Sequence, residues 1–223
     1  TMHNITVTHL KTVDSTNTYA KSNILSLTLP ALVIADMQTN GRGRQGKSFF
    51  SPNETGLYMT LVFEAPSDCA LLTPAAAVAV CKSLEKLGAK PAIKWVNDIF
   101  IEGHKVCGIL TECFSANKKT YIALGIGINL TTNIFPDELD IAGSVNIDCD
   151  KSELAVEISK SILKYTKDID NQAIINEYEN RLFIICKKIT YSKNNIEHTA
   201  TVKGINSACN LIVENTDGTE DAL

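Results

Sequence analysis

The alternation of hydrophobic and polar residues predicts several short strands early in the chain. Residues 5–13 alternate apolar and polar side chains, which is typical of a strand with one buried face. The apolar stretches 32–35 and 57–64 predict two further strands. Between the first two, DSTN at 14–17 is rich in residues that cap helices, so we expect a helix from Thr18.

The clearest alternation lies at residues 120–130. One face of this predicted strand is large and apolar, and carries Ile122, Leu124, Ile126, Ile128 and Leu130. The other face is mostly small, and carries Tyr121, Ala123, Gly125, Gly127 and Asn129. Glycine within a strand marks close approach of a ligand or of another backbone. Both a ligand and a tight helix–sheet contact remain open, and Asn129 favours the ligand.

The middle of the chain predicts a strand, a turn and a second strand at 92–101. Glu102-Gly103-His104 then predicts a tight hairpin turn, and the apolar run 105–111 predicts a central strand. The polar residues Lys94, Asn97 and Asp98 stand among large apolar ones, so they either satisfy one another or line a cleft. Lys105 is either a solvated strand end or a cation in that cleft.

Three segments predict longer helices. The first is 75–87, with Thr73 as N-cap, Pro74 at the first helical position and Gly88 as C-terminal stop. Helix 153–169 is predicted to be capped by Ser152. The third helix follows a cap at Asp170 or Asn171. The apolar stripes of the last two comprise Leu154, Ile158, Ile162, Tyr165 and Ile169, and Ile174, Tyr178 and Leu182.

From residue 183 the pattern changes to short strands with polar turns. The runs 184–191, 199–204 and 211–214 predict three strands, and TDGTEDAL at the end reads as a polar tail. With 223 residues, the chain predicts one main domain of α+β class, 1–182, and a small β-rich domain, 183–223. The hydrophobic core of a domain of about 40 residues gives only marginal stability unless the domain packs against a neighbouring one.

Composition limits the possible partners. The net charge is −4 and no long basic run appears, which argues against DNA as the main partner. No signal peptide and no apolar run long enough to cross a bilayer are evident, so we expect a soluble, cytoplasmic protein. The seven cysteines form no C-x-x-C pair and predict buried, reduced thiols.

The stretch TNGRGRQGKS at 39–48 has the composition of an anion-binding loop. It contains the glycines Gly41, Gly43 and Gly46 and the cations Arg42, Arg44 and Lys47. Glycine lets the backbone approach a ligand, and guanidinium groups bind carboxylate or phosphate oxygens. We predict a mobile loop that becomes ordered over its ligand; a plain solvated loop is the alternative. The match to G-x-G-x-x-G at 41–46 does not indicate a dinucleotide site, because loop residues and a strand follow instead of a helix.

Polar residues flank this loop in the predicted fold. Ser15, Thr16 and Asn17 lie at a strand-to-helix junction, where spacing alone favours helix capping over ligand contact. Gln38 is the last firmly held residue before the loop. Its amide is either a surface group or one that recognises a ligand under the loop.

Taken together, these motifs resemble the biotin protein ligases. The matching segments are DSTN at 14–17, QTNGRGRQGKSFFSP at 38–52, LYMTLVF at 57–63, KWVNDIFIEGHKVCGILTE at 94–112 and GIGINL at 125–130. The resemblance implies a class II synthetase-like mixed sheet with flanking helices, followed by a small SH3-like domain. It also implies that biotin and ATP, with Mg²⁺, form biotinyl-AMP, and that biotin then passes to a lysine of a biotin carboxyl carrier domain.

The resemblance also assigns roles to individual residues. It implies that biotin is bound by Ser15, Thr16, Asn17, Gln38, Gly41, Arg42, Gly43, Arg44 and Lys105. It implies that ATP or the adenylate is bound by Arg42, Arg44, Lys47, Phe49, Asn97, Lys105 and Asn129. The implied catalytic residues are Arg44, Lys105 and Asp98, with Asp98 orienting or deprotonating the incoming lysine. The metal ligands and a homodimer are left open.

The chain departs from the family pattern at three places. Val96 replaces the usual proline, Phe49 replaces a frequent tryptophan, and the C-terminal domain is short of a final strand. The pattern starts close to Thr1, without a preceding winged helix, so the resemblance implies a monofunctional ligase that does not bind operator DNA. Lipoate ligases and octanoyltransferases share the fold but favour a different glycine-rich loop. A catalytically silent biotin or nucleotide sensor is a third alternative, against which Lys105, Asp98 and the loop arginines argue.

Overall fold

A seven-stranded mixed sheet is the framework of the computed structural model, which describes residues 4–167 and 170–223. Its strands are β1 (Thr6–Val13), β2 (Ala31–Gln38), β3 (Gly56–Glu64), β4 (Ala92–Lys94), β5 (Asp98–Ile101), β6 (His104–Ala116) and β7 (Lys119–Asn129). Their spatial order is β1-β2-β3-β7-β6-β5-β4. β1 and β2 run parallel, and all other neighbours are antiparallel. The predicted hairpin turn between β5 and β6 is confirmed, with positive φ at Glu102 and Gly103.

Helices cover both faces of this sheet. They are α1 (Thr16–Ser22), α2 (Leu72–Lys86), α3 (Lys151–Tyr165) and α4 (Asn171–Glu179). The large apolar face of β7 lies in one core with buried residues of α2 and α3, as its alternation predicted. α1 packs in a second core with Val33 and Val62. Because side chains alternate across a strand, the small face of β7 is on the side of α1.

Two of the predicted helix caps are wrong. Thr73 lies inside α2, which begins at Leu72, and the Thr73 hydroxyl is 2.8 Å from that of Thr111 on β6. Asp150, not Ser152, caps α3, because its carboxylate accepts a hydrogen bond from the Glu153 N–H at 2.9 Å. The cap at Asp170 is confirmed. Residues 168 and 169 of the predicted helix 153–169 lie outside the described residues.

The C-terminal region forms a separate antiparallel sheet of order β11-β10-β9-β8. Its strands are β8 (Lys188–Lys193), β9 (Ile196–Ile205), β10 (Leu211–Asn215) and β11 (Glu220–Ala222). The predicted polar tail is wrong because β11 pairs with β10 after a turn at Gly218, which has φ +84°. The strand predicted at 184–191 begins only at Lys188. The predicted α+β class, with a mixed sheet and a β-rich C-terminal region, is confirmed, while a domain boundary at 182/183 remains a prediction.

The cysteine prediction is only partly confirmed. All seven cysteines are free; Cys81, Cys107 and Cys209 are buried, whereas Cys69, Cys113 and Cys186 are exposed. Apolar neighbours in sequence do not show which face of a strand or loop a thiol occupies. None of the helices that the structure describes is long and apolar enough to cross a membrane.

Candidate active site

A cavity of about 550 Å³ lies on the face of the main sheet that carries α1. Nearly every residue predicted for the site lines it, namely Ser15, Thr16, Asn17, Gln38, Arg42, Gly43, Arg44, Lys47, Phe49, Asn97, Asp98, Lys105 and Asn129. Gly41 is the exception. A Cβ atom there would stand 2.3 Å from the Phe49 carbonyl oxygen, so this glycine allows the two ends of the loop to approach.

The residues at the start of α1 do more than cap the helix. Ser15 is at the N-cap position, but its side chain makes no capping bond. Thr16 and Asn17 are buried. The N–H and hydroxyl of Thr16 lie 2.9 and 3.1 Å from Gln38 Oε1, and the hydroxyl of buried Thr60 lies 2.6 Å from Asn17 Oδ1. The prediction of capping alone is therefore wrong, since these side chains connect α1 to β2 and β3.

Glycines of β6 and β7 make room for site side chains. A Cβ at Gly125 would be 2.3 Å from Asn17 Oδ1, and one at Gly127 would be 2.4 Å from the Phe49 ring. Gly108 on β6 faces the same ring. Side chains from α1 and from the loop therefore pack directly on this small face. Gly125, Gly127 and Asn129 also line the cavity, so contact with a ligand stays a prediction.

The glycine-rich loop is folded as a small hairpin. The Gly43 N–H donates to the Lys47 carbonyl at 2.7 Å, and the Phe49 N–H donates to the Gly41 carbonyl at 2.8 Å. A single 3-10 turn at Arg44–Gly46 occurs where a dinucleotide site would need a helix, which agrees with the sequence argument. The predicted mobility of the loop remains a prediction.

The two loop arginines are held by different parts of the chain. Arg42 Nη2 is 3.5 Å from Glu112 Oε1 on β6. Arg44 Nη1 donates to Asn97 Oδ1 at 3.2 Å. Asn97 also donates from Nδ2 to the Ile109 carbonyl at 2.8 Å, so its orientation is fixed from both ends.

Lys105 and Asp98 form an ion pair within the cavity. They lie on β6 and β5, seven residues apart, and the hairpin between these strands brings Lys105 Nζ to 2.7 Å from Asp98 Oδ1. The side chains are 30% and 25% exposed. Asp98 Oδ1 is buried and makes no hydrogen bond of regular geometry with the described residues, so the ammonium is its ionic partner. The pair places a cation and a proton acceptor side by side.

Asn129 brings an unpaired acceptor to the same cavity. Its residue is 5% exposed, and Nδ2 donates to the Gly143 carbonyl at 3.0 Å. Oδ1 is buried, and no described residue donates a hydrogen bond to it. Buried polar atoms normally have partners, so this oxygen is suited to a ligand that donates an N–H.

Sequence reasoning missed the role of Glu112. Its carboxylate accepts hydrogen bonds from Asn17 Nδ2 at 2.8 Å and from Lys21 Nζ at 2.9 Å, besides facing Arg42. Burial acts to raise the pKa of Glu112, but the bonds from Asn17 and Lys21 outweigh it and the pKa is lowered. A carboxylate inside an apolar central strand was the available indication, since such a group needs partners.

The segment 135–142 was missed as well. It forms another wall of the cavity, and the Ile141 carbonyl accepts a 2.7 Å bond from the Lys105 N–H. The Gly143 N–H in turn donates to the Lys105 carbonyl at 2.9 Å. This segment has no hydrophobic period that could have predicted its position.

We expect Glu112→Gln to destabilise the protein by about 1 kcal/mol near pH 7, because Lys21 and Arg42 lose a partly buried charged partner. The folded-state pKa is lowered, so this stabilisation exists above the ordinary value of 4.5 and is lost as the pH falls through the folded value. Urea unfolding at pH 7 and pH 3.5 measures the difference. The control is Glu64→Gln, which breaks the exposed pair with Lys119. A deficit for Glu112→Gln that is equal at both pH values would contradict this role.

Comparisons with known proteins agree with this geometry. Residues 9–129 match the model of the Biotin/lipoate A/B protein ligase family. The chain is 42% identical over 123 residues to the Bifunctional ligase/repressor BirA of Bacillus subtilis, covering 52% of this chain and 38% of that protein. It is 35% identical over 130 residues to the Biotin--[acetyl-CoA-carboxylase] ligase of Paracoccus denitrificans, covering 54% and 53%. The matched segments therefore span about half or less of these relatives.

Solved structures establish the fold. The structure of biotin protein ligase from Aquifex aeolicus in complex with biotin and ATP has a TM-score of 0.84 and 23% identity, and the match covers 98% of this chain and 95% of that one. Biotin protein ligase from Leishmania major in complex with biotinyl-5-AMP has a TM-score of 0.67 and 22% identity, with 98% of each chain covered.

Proposed function

The chain belongs to the Biotin/lipoate A/B protein ligase family, and from this premise we propose that it is an ATP-dependent biotin protein ligase. The observation that carries the proposal is the convergence of Ser15–Asn17, Gln38 and the cations Arg42, Arg44 and Lys105 on one cavity. Its volume of about 550 Å³ lies within the usual range for small-molecule sites. The relatives that are named as biotin ligases support the choice of biotin.

The first proposed step joins two anions. A carboxylate oxygen of biotin attacks the α-phosphorus of ATP, the bond from that phosphorus to the bridging oxygen breaks, and pyrophosphate leaves. Lys105, Arg42 and Arg44 are placed to offset the negative charge that gathers at the reacting atoms. The polar groups of Ser15–Asn17 and Gln38 suit the ureido ring of biotin. The Asn129 Oδ1, to which no described residue donates a hydrogen bond, suits the amino group of adenine better than a phosphate, which has no N–H to donate.

The second proposed step transfers biotin to a lysine of a carrier domain. The lysine nitrogen attacks the carbonyl carbon of biotinyl-AMP, the bond to the phosphate oxygen breaks, and AMP leaves. Asp98 accepts a proton from the amine, a role for which it needs to lie within hydrogen-bond reach of the nitrogen. The loop, once closed over the adenylate, would exclude the water that hydrolyses it.

We propose that Mg²⁺ enters the site together with ATP. Among residues 4–167 and 170–223, no group of three His, Cys, Asp or Glu side chains could hold a metal ion. Mg²⁺ in nucleotide sites is held by one or two carboxylates together with phosphate oxygens, and does not need such a group. Its contribution when bound is to neutralise phosphate charge, in addition to the cations of this chain.

The proposed partner is a biotin carboxyl carrier protein or domain. A reducing, cytoplasmic setting fits the seven free thiols and is part of the proposal. That the chain does not bind DNA remains a prediction from its net charge of −4.

Pyrophosphate release from ATP tests the proposal, with biotin, lipoate and octanoate offered separately. We expect release with biotin only, followed by transfer of biotin to a purified carrier domain. Release with lipoate or octanoate instead would place the chain among the lipoate-type members of the family. Binding of biotin without release under any condition would overturn the enzymatic proposal in favour of a sensor.

A further inference from the structure

The turn before Asp98 is held by side chains that lie outside the ligand cavity. Residues 95–97 connect β4 to β5 and belong to neither strand. The indole N–H of Trp95 donates to the Cys209 carbonyl at 2.9 Å, in the loop between β9 and β10. The hydroxyl of Tyr178, on α4, donates to the Val96 carbonyl at 2.8 Å. Two distant parts of the chain therefore fix consecutive residues of one turn.

The next residue of the turn continues this arrangement into the active site. The Asn97 side chain bonds to the Ile109 carbonyl and to Arg44, and the Asn97 carbonyl accepts the Ile109 N–H at 3.0 Å. Asp98 follows directly and pairs with Lys105. A displacement at residues 95 and 96 would thus reach Asn97 and Asp98 through one to three peptide units.

The Tyr178 contact has the features of a specific anchor. The tyrosine is completely buried, and burial is the largest cause that raises its pKa, so the hydroxyl remains a donor. Without this hydroxyl the Val96 carbonyl would lose a buried partner. Neither Tyr178 nor Cys209 lines the cavity, whose described lining residues all lie between Ser15 and Ala142.

We propose that Tyr178 and Trp95 are positioning residues that aim Asn97 and Asp98 at the reacting groups, so that α4 and the loop before β10 control a reaction that they do not touch. This inference rests on the proposed ligase function. It assigns the C-terminal sheet a part in the chemistry through the Trp95–Cys209 bond. Because Asp98 is assigned to transfer, the second half-reaction is expected to be the more sensitive one.

The test compares Tyr178→Phe with Tyr191→Phe. The control removes a hydroxyl that bonds to Asn215 and Asp221 within the C-terminal sheet. Rates are normalised to folded sites, counted by biotin binding. We expect Tyr178→Phe to slow biotin transfer about 10- to 100-fold, as displacement of a reactive group by an ångström can do, while KM for biotin changes less than twofold. The control is expected to change neither quantity more than twofold.

A second measurement is independent of activity. Because the Ile109 amide donates to the Asn97 carbonyl, its hydrogen exchange reports on the turn, and we expect it to accelerate at least tenfold in Tyr178→Phe but not in Tyr191→Phe. Normal exchange together with normal transfer would overturn the inference, as would an equal loss in transfer and biotin affinity. If the wild-type protein shows no ligase activity, faster exchange still tests the anchor separately from the proposed function. Trp95→Phe, which keeps a ring but loses the N–H, should reproduce the pattern if Tyr178→Phe does not fold.

Discussion

Lys105→Ala is expected to slow pyrophosphate release roughly 10²- to 10³-fold, the range found when one donor to a developing negative charge is removed. The ion pair with Asp98 holds the Lys105 ammonium at the cavity, and backbone bonds to residues 141 and 143 fix the strand that carries it. This ammonium would compensate the charge that builds up as biotin's carboxylate meets the α-phosphate. Steady-state release at saturating biotin and ATP measures the loss.

Lys119→Ala is a matched control for this prediction. Lys119 also stands 2.7 Å from a carboxylate, that of Glu64, but at the exposed end of β7 and away from the cavity. It should retain activity within about twofold, because exposed ion pairs contribute little. Near-normal release by folded Lys105→Ala would remove this residue from the adenylation step and leave Arg42 and Arg44 to carry it.

The parts of the fold that could be predicted are those where residues close together in sequence form a recognisable pattern of apolar, polar or glycine positions. The alternation at 120–130 identified β7 and its core face correctly, because burial of one face imposes a period of two on the sequence. The glycine–arginine loop and the polar residues of 94–105 were singled out because such side chains need partners or a ligand. The structure brings both stretches to one cavity.

What could not be predicted depends on contacts between distant residues. Glu112 meets Asn17 and Arg42 only after β6 is placed beside α1 and the loop. Similarly, the space that a side chain at Gly125 would need is filled by Asn17, which is 108 residues away in sequence. No local periodicity encodes such pairs. The predicted cap of α3 was wrong for a more local reason. Asp150 and Ser152 are both good capping residues, and their spacing from the helix did not decide between them.

The proposal assigns the two members of the Lys105–Asp98 ion pair to different half-reactions. Under the proposed function, the cation of the Lys105–Asp98 pair would serve the step in which negative charge increases, and the carboxylate would serve the step in which an amine loses a proton. A substitution at one partner should therefore affect one half-reaction more than the other. This asymmetry distinguishes a catalytic pair from a merely structural ion pair, whose loss would affect both steps through the fold.

Asp98→Asn is expected to slow biotin transfer by about 10²- to 10⁴-fold, the usual contribution of a general base, while pyrophosphate release stays within about tenfold of wild type. Asparagine keeps the size of the side chain and leaves the Lys105 ammonium in place, but it cannot take a proton from the lysine amine. Single-turnover transfer from preformed enzyme-bound biotinyl-AMP to a carrier domain measures the second step alone.

Asp36→Asn controls for the loss of a half-buried, paired carboxylate. Asp36 is 27% exposed, close to the 25% of Asp98, accepts a 2.7 Å contact from His9 on β1, and is not one of the cavity's lining residues. It should leave both half-reactions unchanged within twofold. An equal slowing of both steps by Asp98→Asn would mean that the carboxylate acts only by fixing Lys105 for adenylation. The group that accepts the proton from the lysine amine would then be a different residue.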